Sequence, residues 1–145
     1  MKTHILVPLA GTPESESVLK HLPRLARRGS TVTLLRAEMP AALEQYTDLS
    51  DAALEHARRY LEGVRERLSD LDARVRIVAR IGAPTETILD VAHQVGATLI
   101  LLSSRGRPAL ARFLFGSVAG AVVKRSPLPV LVIPAHAEVQ ALHIS

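Results

Sequence analysis

A chain of 145 residues is long enough for one domain with a full core and too short for two of ordinary size. It is 48% hydrophobic but only 3% aromatic, so the core is aliphatic, and 18 Lys and Arg against 14 Asp and Glu leave a formal charge of +4 spread along the chain. With no cysteine there is no disulfide or thiolate chemistry; no apolar run reaches the ~20 residues of a membrane helix, and so small a charge with so few rings argues against nucleic acid as a partner.

Taken in order, "THILVPLAG" reads as a buried strand closed by Pro8 and Gly11. A helix is expected next, capped by Thr12, with Pro13 at its first position, Val18, Leu19, Leu22, Leu25 and Ala26 inward, a kink at Pro23 and Gly29 after its end. "STVTLLRA" is a second strand, and the stretch from Glu38 to about Leu49 has no clear period. A long helix follows from the helical spacing of Ala53, Ala57, Tyr60, Leu61, Val64, Leu68 and Leu71. In "RVRIVARIG", Val75, Ile77, Ala79 and Ile81 alternate with arginines, the pattern of a half-exposed edge strand.

The third helix, "APTETILDVAHQVG", starts near Pro84, buries Ile88, Val91, Ala92 and Val95, and ends at Gly96. "ATLILLS" is an apolar strand, a glycine-spaced basic loop follows, then a short helix from about Ser117 to Arg125 and the strand "PLPVLVIP". The tail from about residue 135 is unassigned. Strands alternating with helices imply an α/β fold with a parallel sheet covered on both faces. If the first and fourth strands are neighbours, a ligand crevice lies between the Pro8–Gly11 loop and the Ser103–Gly106 loop.

That second loop, "SSRGRPALARFLFGS", has what an anion site needs: bare backbone at Gly106 and Gly116, a helix start with Ser117 in capping position, and charge from Arg105, Arg107 and Arg112. The same residues also suit a plain strand turn, a close-packed glycine and a solvated basic face.

The motif Ser103-x2-Gly106-x9-Gly116-Ser117 resembles the Gly-x2-Gly-x9-Gly-Ser/Thr motif of ATP-binding members of the universal stress protein family. "ILVPLAGTPESE", "GAPTETILDVAHQVGATLILLSSRGR" and "GSVAGAVVKRSPLPVLVIP" extend the resemblance along the whole chain. It implies a three-layer, doubly wound, five-stranded parallel sheet in the order 3-2-1-4-5, a Rossmann-like fold of the adenine nucleotide alpha hydrolase-like type. It also implies a stress-response protein that binds ATP, with magnesium, or a related adenine nucleotide.

By the same resemblance Pro8, Leu9 and Ala37 line the adenine side with Leu102 beside it, and Gly106, Gly116, Ser117 and Val118 take the phosphates. Arg107 adds charge by position. Two residues depart from the pattern. Ala10 stands where relatives have an aspartate contacting the nucleoside, and Ser103 stands where the first motif glycine belongs. Both point to weak binding, or to an alternative in which a protein of the same fold has lost the nucleotide and acts through its surface.

Catalytic signatures are missing: there is no GxxxxGK[ST] and no GxGxxG after the first strand. His4, His21, His56, His93, His136 and His143 form no i, i+3 or i+4 pair of the kind metal sites use. No base is placed to activate Ser103, Ser104 or Ser117, so slow ATP turnover is the most chemistry expected. The last strand is apolar on both faces at a sheet edge, which implies a cover. The family resemblance implies a homodimer through Val130, Leu131, Val132 and Ile133; the alternative is the tail folding back through Val139, Leu142 and Ile144. A cytoplasmic location is expected.

Overall fold

The computed structural model describes residues 2–39, 47–104 and 116–135. They build strands β1 (His4–Pro8), β2 (Ser30–Glu38), β3 (Ala73–Ile81), β4 (Leu99–Ser104) and β5 (Val130–Pro134). The helices are α1 (Pro13–Glu16), α2 (Leu22–Leu25), α3 (Thr47–Arg67), α4 (Pro84–Val95) and α5 (Gly116–Arg125). All four strand pairings are parallel, in the order β3-β2-β1-β4-β5, the order that the family resemblance implied.

Alternation along each inner strand feeds two cores. Ile5 and Val7 of β1, Val32 and Leu34 of β2 and Leu101 of β4 pack with Val18, Leu22, Leu61 and Val64. Leu6, Leu35, Ile100 and Leu102 turn the other way, onto Ile88, Val91 and Ala92 of α4 and Ala119 and Val122 of α5. Both faces are thus covered by helices, which is why Ile5–Val7 of β1 and Leu99–Leu102 of β4 are apolar at every position rather than at alternate ones. Burying each such side chain contributes ~1.5–3 kcal/mol.

The outer strands differ. β3 shows the expected alternation, with Arg74, Arg76 and Arg80 exposed and Val75, Ile77 and Ala79 half-buried. β5 is only half-buried, and Leu131 is 37% exposed.

The helix expected after β1 is instead three short pieces: α1, a 3-10 turn over Ser17–His21, and α2. Pro23 has no N–H to complete an α-turn onto Leu19, and the Leu22 amide bonds the Leu19 carbonyl in 3-10 fashion. The Ser17 hydroxyl also bonds the Glu14 carbonyl at 2.7 Å, drawing it from the helical ladder. The inward set is nevertheless retained, since Val18, Leu19, Leu22 and Ala26 are buried. The helix α3 ends at Arg67, so Leu68 and Leu71 pack from the turn that follows it. Gly96 closes α4 in the left-handed conformation, φ 71°.

Candidate functional site

The chain leaves β1 outward through β2 to β3, then returns across β1 to build β4 and β5 on its other side. Winding therefore reverses between β1 and β4. These two strands pair at Ile5–Leu99 and Leu6–Ile100 and no further, although they run on to Pro8 and Ser104. Pro8 has no N–H to extend the ladder, and beyond it the Leu9 amide bonds the Leu35 carbonyl at 2.8 Å, holding the chain toward β2. The strand ends part, and a crevice of about 650 Å³ opens above them.

One wall is the β1 loop with the end of β2: Pro8, Leu9, Ala10, Leu35, Arg36 and Ala37. The opposite wall is the end of β4 with the start of α5: Leu102, Ser103, Ser104, Ser117, Val118 and Ala119. Pro84 and Ile88 of α4 and Thr12, Glu14 and Ser15 complete the lining. Eight residues singled out in the sequence, Pro8, Leu9, Ala10, Ala37, Leu102, Ser103, Ser117 and Val118, therefore meet in one cavity. Gly116 is the first residue of α5. Gly106 and Arg107, like Arg105 and Arg112, lie outside the described residues.

The β1 loop is held by its own hydroxyls. Gly11 takes φ 77°, a left-handed turn that a side chain resists. Thr12 caps α1 by accepting from the Ser15 amide at 3.2 Å, and the Ser15 hydroxyl accepts in return from the Thr12 amide. That hydroxyl also accepts from the Ala10 amide at 3.0 Å. Ser15 thus organises a loop whose residue 10 is a bare methyl.

Across the crevice, the first amides of α5 have no acceptor within the helix, and the positive end of its dipole lies there. Ser117 is exposed at that end, while the apolar side is formed by Leu35, Ile88 and Leu102. Two charged side chains line the cavity among the described residues: Glu14, exposed, and Arg36. Among the described residues no three His, Asp or Glu side chains gather to hold a metal.

Sequence reasoning did not place Arg36, Ser15 or Glu14 at the crevice. A signal for Arg36 existed, since it is the one cation in the apolar run "TVTLLRA" and stands at the carboxyl end of a strand, where such folds bind ligands. Nothing local marks Ser15, whose reach to Ala10 depends on the turn at Gly11.

Comparison with known proteins places this architecture. The universal stress protein family matches residues 1–134. Universal stress protein MJ0577 of Methanocaldococcus jannaschii is 31% identical over 98 residues, which is 67% of this chain and 60% of that protein. The solved structure of MJ0577 superposes with a TM-score of 0.80 at 29% identity, covering 92% of this chain and 96% of that one. Two further structures share the fold. A universal stress protein in complex with cAMP has a TM-score of 0.67 at 20% identity, over 92% of this chain and 97% of that one. An Arabidopsis thaliana universal stress family protein with AMP bound has a TM-score of 0.70 at 18% identity, over 94% of each. The chain belongs to the universal stress protein family.

Proposed function

We propose that the crevice binds an adenine nucleotide, ATP with magnesium or a related one, and that the chain serves as a single-domain cytoplasmic binding protein in a stress response. The observation that carries this reading is the parting of β1 and β4 beneath the start of α5, which sets an apolar slot beside a helix N-terminus. The cAMP and AMP bound to two proteins of the same fold support it. In this reading Pro8, Leu9, Ala10, Ala37 and Leu102 face the nucleoside, and Ser103, Gly106, Arg107, Gly116, Ser117 and Val118 face the phosphates. Affinity is weak, because Ala10 offers no side-chain acceptor. The described lining holds one carboxylate and no histidine, so any ATP turnover is slow.

Calorimetry with magnesium ATP and with AMP tests the proposal. Heat of binding should appear with the native chain and vanish in a folded Gly116→Val variant, whose added bulk stands at the helix entrance. No heat at millimolar nucleotide with folded native protein would reject it.

A second reading, a protein of this fold that acts through its surface without nucleotide, is favoured by the exposure of Leu131 on the outer strand β5. Under either reading we propose a homodimer through Val130, Leu131, Val132 and Ile133. The competing cover, the tail with Val139, Leu142 and Ile144, lies outside the described residues. Light scattering during size exclusion decides: a monomer at tens of micromolar ends the dimer proposal.

A further inference from the structure

The cation in the crevice stands on the wrong side for an ordinary nucleotide. Phosphates are served by the start of α5, whereas Arg36 belongs to the opposite wall, with Ala10 and Ala37. Its side chain is 25% exposed and held in place: Nη1 donates to the Ala37 carbonyl at 3.3 Å and Nη2 lies 3.3 Å from Glu38 Oε2. A guanidinium has five N–H donors in a rigid fork, and among the described residues these two partners leave others unused. The Nε edge lies beside Gly11, where the Cβ of any other residue would stand 3.9 Å away. Ala10 has only a methyl group to offer there, and the one carboxylate lining the cavity among the described residues, Glu14, is exposed on α1.

Such a wall is poorly matched to a bare ribose. The hydroxyls of a neutral diol are best read by a carboxylate that accepts from them, while a fixed guanidinium pairs with an anion through two parallel hydrogen bonds. The same contrast, acid for a free ribose hydroxyl and arginine for a phosphorylated one, separates the two kinds of dinucleotide site in other doubly wound folds. The crevice then has a positive pole at each wall, with the apolar slot between them. Glu38 partly neutralises Arg36 but is not among the residues lining the cavity, so it orients the fork without occupying the site.

We infer that Arg36 makes this site selective for adenosine nucleotides carrying a second phosphate on the ribose 2′ or 3′ oxygen in addition to the 5′ phosphate. The inference rests on the nucleotide reading above and names the ligand class of that site. AMP, adenosine 2′,5′-bisphosphate, adenosine 3′,5′-bisphosphate and GMP are the probes, titrated by calorimetry into the native chain and into Arg36→Gln and Glu38→Gln variants of verified fold. At least one bisphosphate should bind about tenfold or more tighter than AMP to the native chain. That advantage should fall to within about twofold in Arg36→Gln. In Glu38→Gln, where the internal competitor for the fork is gone, it should grow.

Equal binding of AMP and both bisphosphates to the native chain overturns the selectivity while leaving the nucleotide reading intact. So does an advantage that survives Arg36→Gln. A preference for GMP that Arg36→Gln removes also overturns it, because the fork is then reading the acceptor edge of guanine. Absence of heat with every probe rejects the nucleotide reading and this inference together.

Discussion

The Tyr60 hydroxyl donates to Glu16 Oε2 at 2.6 Å, tying the middle of α3 to the end of α1 across 44 residues of sequence. Arg67 Nη1 holds the other oxygen of the same carboxylate at 3.0 Å. α1 carries the Thr12–Ser15 cap that shapes one wall of the crevice, so this link anchors the wall to the longest helix. Burial, and then the Glu16 carboxylate, push ionisation of the Tyr60 hydroxyl far above the usual tyrosine range. Tyr60→Phe should destabilise the protein by about 1–2 kcal/mol in denaturant titrations at neutral pH. Above pH ~10 the unfolded chain loses a proton that the folded chain keeps, so the native protein loses stability as pH rises. The Phe variant should lack that component; an alkaline limb identical to the native one would contradict the assignment.

His4 sits at the other end of the same sheet. Its Nε2 lies 2.7 Å from the hydroxyl of Thr33, which is fully buried, and its amide donates to the Thr98 hydroxyl at 2.9 Å. Burial, and then the Arg76 charge, hold its pKa below the usual histidine value. In acid the unfolded chain binds a proton that the native state resists, so stability is present above pH ~6.5 and declines as pH falls below it. His4→Asn should flatten that decline in urea unfolding between about pH 6.5 and 5. Equal slopes for the two proteins would rule the contribution out.

Gly82 is small because Thr87 stands over it. A Cβ on Gly82 would lie 2.6 Å from Thr87 Oγ1, and Thr87 is a buried, β-branched residue with little freedom to turn away. Gly82→Ala should cost about 1–3 kcal/mol of stability and displace the start of α4, which brings Pro84 and Ile88 to the crevice. Because the clash is with one atom, Thr87→Ala in the same chain should recover much of the loss, and a double-mutant cycle reads the coupling directly. Additive costs would place the strain elsewhere.

If Ala10 and Ser103 are what weakens the nucleotide site, Ala10→Asp with Ser103→Gly should tighten magnesium ATP binding by about ten- to a hundredfold, the worth of one hydrogen bond to a charged group. The new carboxylate would stand in the loop that Ser15 already holds through the Ala10 amide. Calorimetry on the double variant checks this. Unchanged affinity would show that neither position limits binding.

Much of the crevice lining was named from the sequence through the family resemblance, and the fold supplies a physical reason for its convergence. Pro8, Leu9, Ala37, Leu102, Ser117 and Val118 belong to the ends of apolar strands and the start of a helix, and a parallel sheet with a winding reversal brings those ends together whatever the loops do. Ser15 and Glu14 were not legible as site residues, since their place follows from the turn at Gly11, whereas Arg36 carried a signal in its position at the carboxyl end of β2. The break-up of the first helix was half legible. Pro23 announced a disturbance, but the 3-10 turn also depends on the Ser17 hydroxyl finding the Glu14 carbonyl.

The sequence alone determined the layered architecture. Runs of aliphatic residues too short for helices, set between amphipathic helices, can bury their surface only as parallel strands covered on both sides, and the arginine alternation in β3 marks one edge. Tertiary structure alone decided that β1 and β4 separate after two residue pairs, and that a guanidinium shares the crevice wall with the Ala10 methyl group and lies beside Gly11. Hydrophobic periodicity is local and survives in any register. The opening of a cavity and the facing of one side chain on another depend on how far distant strands pair before they part.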